Sequence, residues 1–243
     1  MVAQKIVIAM DDSDCARLAA RWTLAKLVKP EDEVHVIAVR ALVTAGIAPE
    51  APLATAGAVA ALHSGYHQAL KQEEERVCHF LEDVRKELTP LHAGLQTHCL
   101  PAAGGASGVG KSIVSWVEGH HVDLLVLGSR GMGSAKGTLM SMVGLGSVSK
   151  YCMHNLKCPV CIVHGSGLDM EKSKRIMVAI DDSFMAQHAQ AWAIDHLFNA
   201  ESNDELHLVC TAMPQPYVVS TVYCNFGMYS TLYLNKQEKE EQS

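Results

Sequence analysis

Residues 122–163 read VDLLVLGSRGMGSAKGTLMSMVGLGSVSKYCMHNLKCPVCIV, and the order of residue types in that stretch decides the fold. An apolar run, Leu124-Leu125-Val126-Leu127, halts at Gly128. Glycines recur at 131, 133, 137, 144 and 146, and Ser147-Val148-Ser149 then opens a segment with helical periodicity. A short apolar strand, 159–163, closes the unit. Strand, glycine loop, helix start and strand, in that order, turn backbone N–H groups and a helix N-terminus toward one point, as an anionic phosphate requires.

The chain before this stretch has the same alternation. Residues 5–10, KIVIAM, form a continuous apolar run, the mark of a strand buried on both faces of a parallel sheet. Asp11-Asp12-Ser13 ends the run and can cap a helix carrying Ala16, Ala19, Ala20, Trp22, Leu24 and Leu27 at helical spacings. A strand over 33–39 follows. Residues 41–59 are rich in Ala, Pro and Gly with Glu50 as the only charge, and predict a surface connection. A long helix over 61–88 then sets Leu70, Val77, Phe80, Leu81, Val84 and Leu88 on one stripe against a charged face. A weaker strand over 95–100, a helix over 111–118, the strand 123–127 and a helix over 146–155 complete the series. The alternation predicts an α/β fold, a doubly wound parallel sheet of five strands, for which 3-2-1-4-5 is one order. In that order the carboxyl ends of strands 1 and 4 flank the point where the winding reverses, and ligands bind there.

Beyond residue 163 the chain repeats itself. Residues 175–183, RIMVAIDDS, restate residues 5–13, KIVIAMDDS, with an offset of 170. Ala186, Ala189 and Trp192 fall on Ala16, Ala19 and Trp22, and Glu205-Leu206-His207-Leu208 follows Glu33-Val34-His35-Val36 with a two-residue slip. The expectation is a domain over 1–164, a linker over 165–173 and a partial second copy over 174–243. That copy reads as β-α-β followed by a tail with no further element. Such a piece cannot bury both faces of its strands alone, so it needs the first domain or another chain.

Composition narrows the function classes. With 20 basic and 26 acidic residues dispersed along the chain and a net charge of −6, there is no basic stripe for nucleic acid. The acidic residues directly after a short apolar run do not read as a secretion signal, and no apolar stretch is long enough to span a bilayer. The expectation is a cytoplasmic protein without nucleic-acid or membrane partners. Eight cysteines sit mostly inside apolar segments, as core residues do. Cys158-Pro159-Val160-Cys161 has redox or half-zinc spacing, but no second such pair accompanies it and a buried strand explains it. The 13 histidines form no metal-ligand pattern.

The opening Ala9-Met10-Asp11-Asp12-Ser13, together with DLLVLGSRGMGSAKG and GSVSKYCMHNLKCPVCIV, resembles the universal stress protein family in its ATP-binding branch, of plant or algal type. The likeness covers about residues 3–164 and returns, shortened, over 173–212. It implies an adenine nucleotide, ATP with or without Mg2+, at the carboxyl edge of the sheet. Carried over residue by residue, Asp11 would accept from ribose or adenine, with Ala9 and Met10 lining the site and Val39 meeting the ring. Leu127, Gly128, Arg130 and Gly131 would wrap ribose and phosphates, while Gly146, Ser147, Val148 and Ser149 would donate from the helix start. The residue chemistry agrees, since glycines admit close backbone approach and a helix N-terminus favours negative charge. One departure stands out: the family signature G-x2-G-x9-G-(S/T) has nine residues where this chain has fourteen, between Gly131 and Gly146. The resemblance further implies a stress-response binding or regulatory module with at most slow ATP hydrolysis. It also implies pairing through 159–163, as a homodimer or as a pseudo-dimer within one chain.

Two other readings compete. Gly105-Ala106-Ser107-Gly108-Val109-Gly110-Lys111-Ser112 fits the P-loop pattern G-x4-G-K-[ST], which would make the chain a nucleotide hydrolase or kinase using Lys111. Against it, the strand before is polar and Asp123 begins its strand instead of ending it as a magnesium ligand would. In the third reading the lengthened loop fills the phosphate site, and the fold serves as a scaffold without nucleotide.

Overall fold

The computed structural model describes residues 3–40, 56–102, 105–129, 146–164, 169–211 and 219–224. The chain falls into two compact units, Met1–Met170 and Glu171–Ser243.

In the first unit β1 (Lys5–Ala9), β2 (Glu33–Arg40), β3 (Gln96–Pro101), β4 (Leu124–Gly128) and β5 (Val160–Val163) form one sheet in the order β3-β2-β1-β4-β5. Every pairing in it is parallel. The helices are α1 (Asp14–Lys26), α2 (Ala56–Leu88), α3 (Gly105–Gly119) and α4 (Ser147–Asn155). This is the doubly wound sheet that the sequence predicts, in the order 3-2-1-4-5.

The unbroken apolar run of β1 has its explanation in this layout. Side chains alternate between the faces of a strand, so a central strand covered on both faces must be apolar at every position. Val7, Ala9, Ile37, Leu125 and Leu127 join Ile113, Val117 and Cys152 in one core cluster under α3 and α4. Ile6, Ile8, Val34, Val36, Leu124 and Val126 are equally buried, as is the stripe Val77, Phe80, Leu81, Val84 and Leu88 of α2. Carboxylates fasten the strand entrances: Asp32 accepts from the backbone N–H of Gln4 and Lys29, and Asp123 from that of Lys5.

Three expectations are corrected. The long helix begins at Ala56, inside the stretch read as a connection over 41–59; residues 41–55 lie outside the described residues. Strand β2 runs one residue past Val39, to Arg40. Helix α3 begins at Gly105, six residues before the expected start at Lys111. Glycines at 108 and 110 weaken a helix in isolation, but a Cβ on Gly110 would stand 2.7 Å from Cδ1 of Tyr151 in α4, so its absence lets the two helices approach.

In the second unit β6 (Arg175–Ile180), α5 (Phe184–Trp192), a π-helical turn (Ala193–Leu197), a 3-10 turn (Ala200–Ser202), β7 (Glu205–Thr211) and β8 (Val219–Cys224) form a three-stranded sheet, order β6-β7-β8. β6 pairs with β7 in parallel, Arg175 opposite Glu205, as Lys5 lies opposite Glu33. β8 runs antiparallel to β7. The expected featureless tail therefore carries a strand. The repeat extends to side chains: Asp204 accepts from the N–H of Lys174 and Asn199, the role Asp32 has for Gln4 and Lys29.

Candidate functional site

The carboxyl edge of the first sheet is assembled by short-range chemistry at the ends of β1 and β4. Ala9 lies between Ile37 of β2 and Leu127 of β4, so β1 and β4 end side by side while β2 runs on to Arg40. Met10 extends the ladder by donating its N–H to the Ile37 carbonyl at 2.9 Å. The chain then turns at Asp11, whose Oδ1 accepts from the Ser13 hydroxyl at 2.5 Å and its N–H at 3.3 Å. Ser13 Oγ in turn accepts from Ala16 N at 3.2 Å, so the serine caps α1 and holds Asp11 at the strand end.

At β4 the turn is tighter. A Cβ on Gly128 would stand 3.3 Å from Ala16 N and from the carbonyl of Cys15, all backbone atoms, so the first turn of α1 lies directly on the strand end. The buried Ser129 donates its N–H to Val163 O and accepts from Gly146 N, both at 2.9 Å. The Ser149 hydroxyl donates to Gly128 O at 3.1 Å. These bonds hold the N-terminus of α4 against the end of β4, next to the place where the winding reverses.

The two helices that start at this edge differ. The first turn of α1 is capped by Ser13, while Gly146, the N-cap residue of α4, offers no side-chain cap. A helix start without a cap presents backbone N–H donors and the positive end of its dipole to an anion. Exposed Ser147 adds a hydroxyl there, whereas Val148 packs against the core cluster. Ser149 is buried with its hydroxyl committed to Gly128, so its side chain positions the helix and does not face outward.

The sequence-predicted residues thus sort into groups. Ala9, Met10, Asp11, Leu127, Gly128, Gly146 and Ser147 come together at one edge. Val39, half-buried and paired with Leu100, lies two residues beyond Ile37 on β2. Arg130 and Gly131, with the lengthened stretch up to residue 145, lie outside the described residues.

The P-loop pattern takes another form. Gly105–Ser112 lies wholly within α3, not in a loop ahead of it. The Ser112 hydroxyl donates to Pro101 O at 2.7 Å and to Gly108 O at 3.0 Å, and Gly110 serves the contact with Tyr151. These groups are absorbed by the helix, and the phosphate cradle that the pattern requires is not formed by it.

The cysteines of the C-x-x-C are half-buried, and burial raises both thiols, that of Cys161 to about 11. Burial pushes the Cys152 thiol up to about 11 as well. Among the described residues no three His, Cys, Asp or Glu side chains converge to hold a metal ion, and no helix is long and apolar enough to cross a membrane.

One titratable group escaped the sequence reading. Buried His35 lies between Glu33 Oε1 and His98 Nε2, 2.9 Å from each, and His98 and His120 pack on Trp116. Burial, then the nearby His35 and His120, lower the pKa of His98. The parallel register that sets Ile37 opposite His98 makes this contact, and nothing local in the sequence signals it.

Comparison with known proteins agrees with this architecture. The family model described as Universal stress protein family matches residues 3–164. Among solved structures, the hypothetical protein MJ0577 is 21% identical with a TM-score of 0.50, the match covering 69% of this chain and all of that one (100%). The universal stress protein UspA from Lactobacillus plantarum is 17% identical, over 67% of this chain and 99% of its own, at a TM-score of 0.44. A universal stress protein in complex with cAMP is 18% identical, over 68% of this chain and 100% of its own, at 0.41. The first of these bears on the fold alone, and the other two lie too low to carry an argument.

Proposed function

The match over residues 3–164 makes this chain a member of the universal stress protein family, and on that premise we propose that its first unit binds an adenine nucleotide, ATP with or without Mg2+, at the carboxyl edge of the sheet. The observation that carries the reading is the α4 N-terminus, without a side-chain cap and held at the end of β4 by Ser129 and Ser149. The N–H groups of that first turn and the Ser147 hydroxyl receive the phosphates. Asp11 accepts from the ribose or the base, and Ala9, Met10, Val39 and Leu127 supply the apolar wall. Arg130 and Gly131 complete the phosphate side.

Among the described residues the site offers binding groups and no nucleophile–base pair; in this reading the protein is a cytoplasmic binding or regulatory module in a stress response, with at most slow hydrolysis. In this reading 1–164 is the nucleotide-binding domain, 165–173 a linker and 174–243 a partial second copy. The β5 edge, 159–163, is the alternative surface for pairing between copies.

Titration calorimetry with Mg-ATP tests it. Micromolar binding is expected in the wild type, lost in Ser147→Asp, which sets a negative charge at the helix start, and unchanged in Lys111→Ala. Loss in Lys111→Ala alone would move the nucleotide to α3. A wild type that binds nothing would sink the proposal and favour the scaffold reading.

A further inference from the structure

In the first unit β1 is flanked by β2 on one side and β4 on the other, while its counterpart β6 pairs, among the described residues, with β7 alone. Ladder parity tells which backbone groups face the open side. Lys5 O accepts from Asp123 N on the β4 side, and Gln4 O accepts from Glu33 N on the β2 side, so odd-numbered residues of β1 face β4. The offset of 170 is even, and Lys174 O accepts from Glu205 N, so even-numbered residues of β6 face β7. The N–H and C=O groups of Arg175, Met177 and Ala179 are therefore the ones at the open edge.

The side chains around this edge are apolar where solvent would favour polar ones. Met177 is 72% exposed, and Phe184 and Met185, at the start of α5, are 71% and 72% exposed. Their counterparts in the first unit are Asp14 and Cys15, and Cys15 lies against Gly128 at the end of β4. Phe184 and Met185 thus flank the side of β6 where β4 stands in the first unit. An open apolar edge of this kind recruits another strand.

We propose that β6 is a self-association edge, at which two copies of this chain pair antiparallel about a two-fold axis through Val178. Charge selects a second copy as the occupant. Arg175 opens the strand and makes no ion pair among the described residues, and Asp181 stands just beyond Ile180, where its Oδ1 also accepts from the Ser183 N–H. In an antiparallel pair, residues directly opposite share a face, so the symmetric register must match odd residues with odd. Centred on Val178, it sets Arg175 opposite Asp181 of the second copy, twice per dimer, and Met177 opposite Ala179. Arg175, Met177 and Ala179 are the residues whose N–H and C=O groups face the open side, so ladder bonds and charge pairs fall into place in one register.

Sedimentation equilibrium on the full chain tests this without reference to nucleotide. The wild type should be dimeric. Arg175→Asp and Asp181→Arg should each weaken the dimer about tenfold, because two attractive cross-strand pairs become repulsive, and the double swap should restore it. Met177→Pro should abolish pairing, since it removes an N–H that the β6–β7 ladder does not use. A monomeric wild type, a dimer indifferent to Met177→Pro, or a double swap that restores nothing each overturns the proposal. Loss of association in Ile162→Lys but not in the β6 variants would overturn it in favour of the β5 edge.

Discussion

β1 and β6 are nearly the same words in two different sentences. KIVIAMDDS and RIMVAIDDS both form a strand that pairs in parallel with the next strand of its unit and ends at a serine-capped helix. Yet Val7 is fully buried, at 0% exposure, and Met177, at the matching position, is 72% exposed. β1 has β4 beside it and α3 and α4 over one face; β6 has β7 on one side. Burial is a property of neighbours, and the strand sequence states only what it can tolerate.

The largest expected effect breaks the comparison outright. Val7→Asp places an unpaired carboxylate in the core and should cost about 4 kcal/mol or more, while Met177→Asp, on an exposed face, should cost the unassociated chain about 1 kcal/mol at most. Hydrogen exchange read peptide by peptide reports the two units separately, and an equal loss of protection in both variants would refute the contrast.

Among the described residues, only the first unit has a strand end like that of β4. Gly128→Ala pushes a Cβ against backbone atoms of Cys15 and Ala16, which cannot yield as a side chain can, and should cost about 1–3 kcal/mol. Gly146→Ala should be nearly neutral, since its backbone (φ −71°) suits any residue and its Cβ would meet Ser129 O at an ordinary 3.5 Å. Urea unfolding midpoints decide between them.

A smaller effect sharpens what the units share. Ser13→Ala and Ser183→Ala each remove a helix cap, with hydroxyl-to-amide distances of 3.2 and 3.1 Å, and each should cost about 1 kcal/mol. The two losses should match in size even though the strands before them differ in burial. Only Ser13→Ala should also weaken nucleotide binding, by removing the hydroxyl that donates to Asp11, which calorimetry would register.

The smallest effect is one of pH. His98 has a folded-state pKa below its ordinary 6.5, first through burial and then through His35 and His120. Below 6.5 the unfolded chain takes up a proton that the folded chain resists, so stability should fall as pH drops from there toward the folded value. Glu33 acts in the same direction lower down: its hydrogen bond to His35 depresses its carboxyl, and that contribution fades as pH falls below 4.5. Thermal midpoints between about pH 8 and 5 should show the decline, and His98→Gln should flatten it.

Much of this was legible in the chain itself, because the signals involved are local. Four-residue apolar runs, serines one turn ahead of helices and glycines at strand ends act through neighbours in sequence, and β1, β4, α1 and α4 stand where those signals place them. The readings that went astray were also local, applied where tertiary contact overrides propensity. Glycines 105, 108 and 110 look like a loop, but Tyr151 gives Gly110 a reason to be helical. The tail after β7 carries no periodic pattern of note, and β8 exists by pairing along β7.

By itself, then, the sequence determined the α/β alternation, the repeat and the family. It also determined the residue types that gather at the carboxyl edge. Only the tertiary structure decided what each of them does there. Ser149 turns inward to hold Gly128, Ser147 stays outside, the P-loop letters dissolve into a helix, and His35 meets His98 across two strands. The physical reason is range: propensity, capping and periodicity act over a few residues, whereas burial and hydrogen-bond partners are set by segments that lie far apart in the chain and close together in the fold.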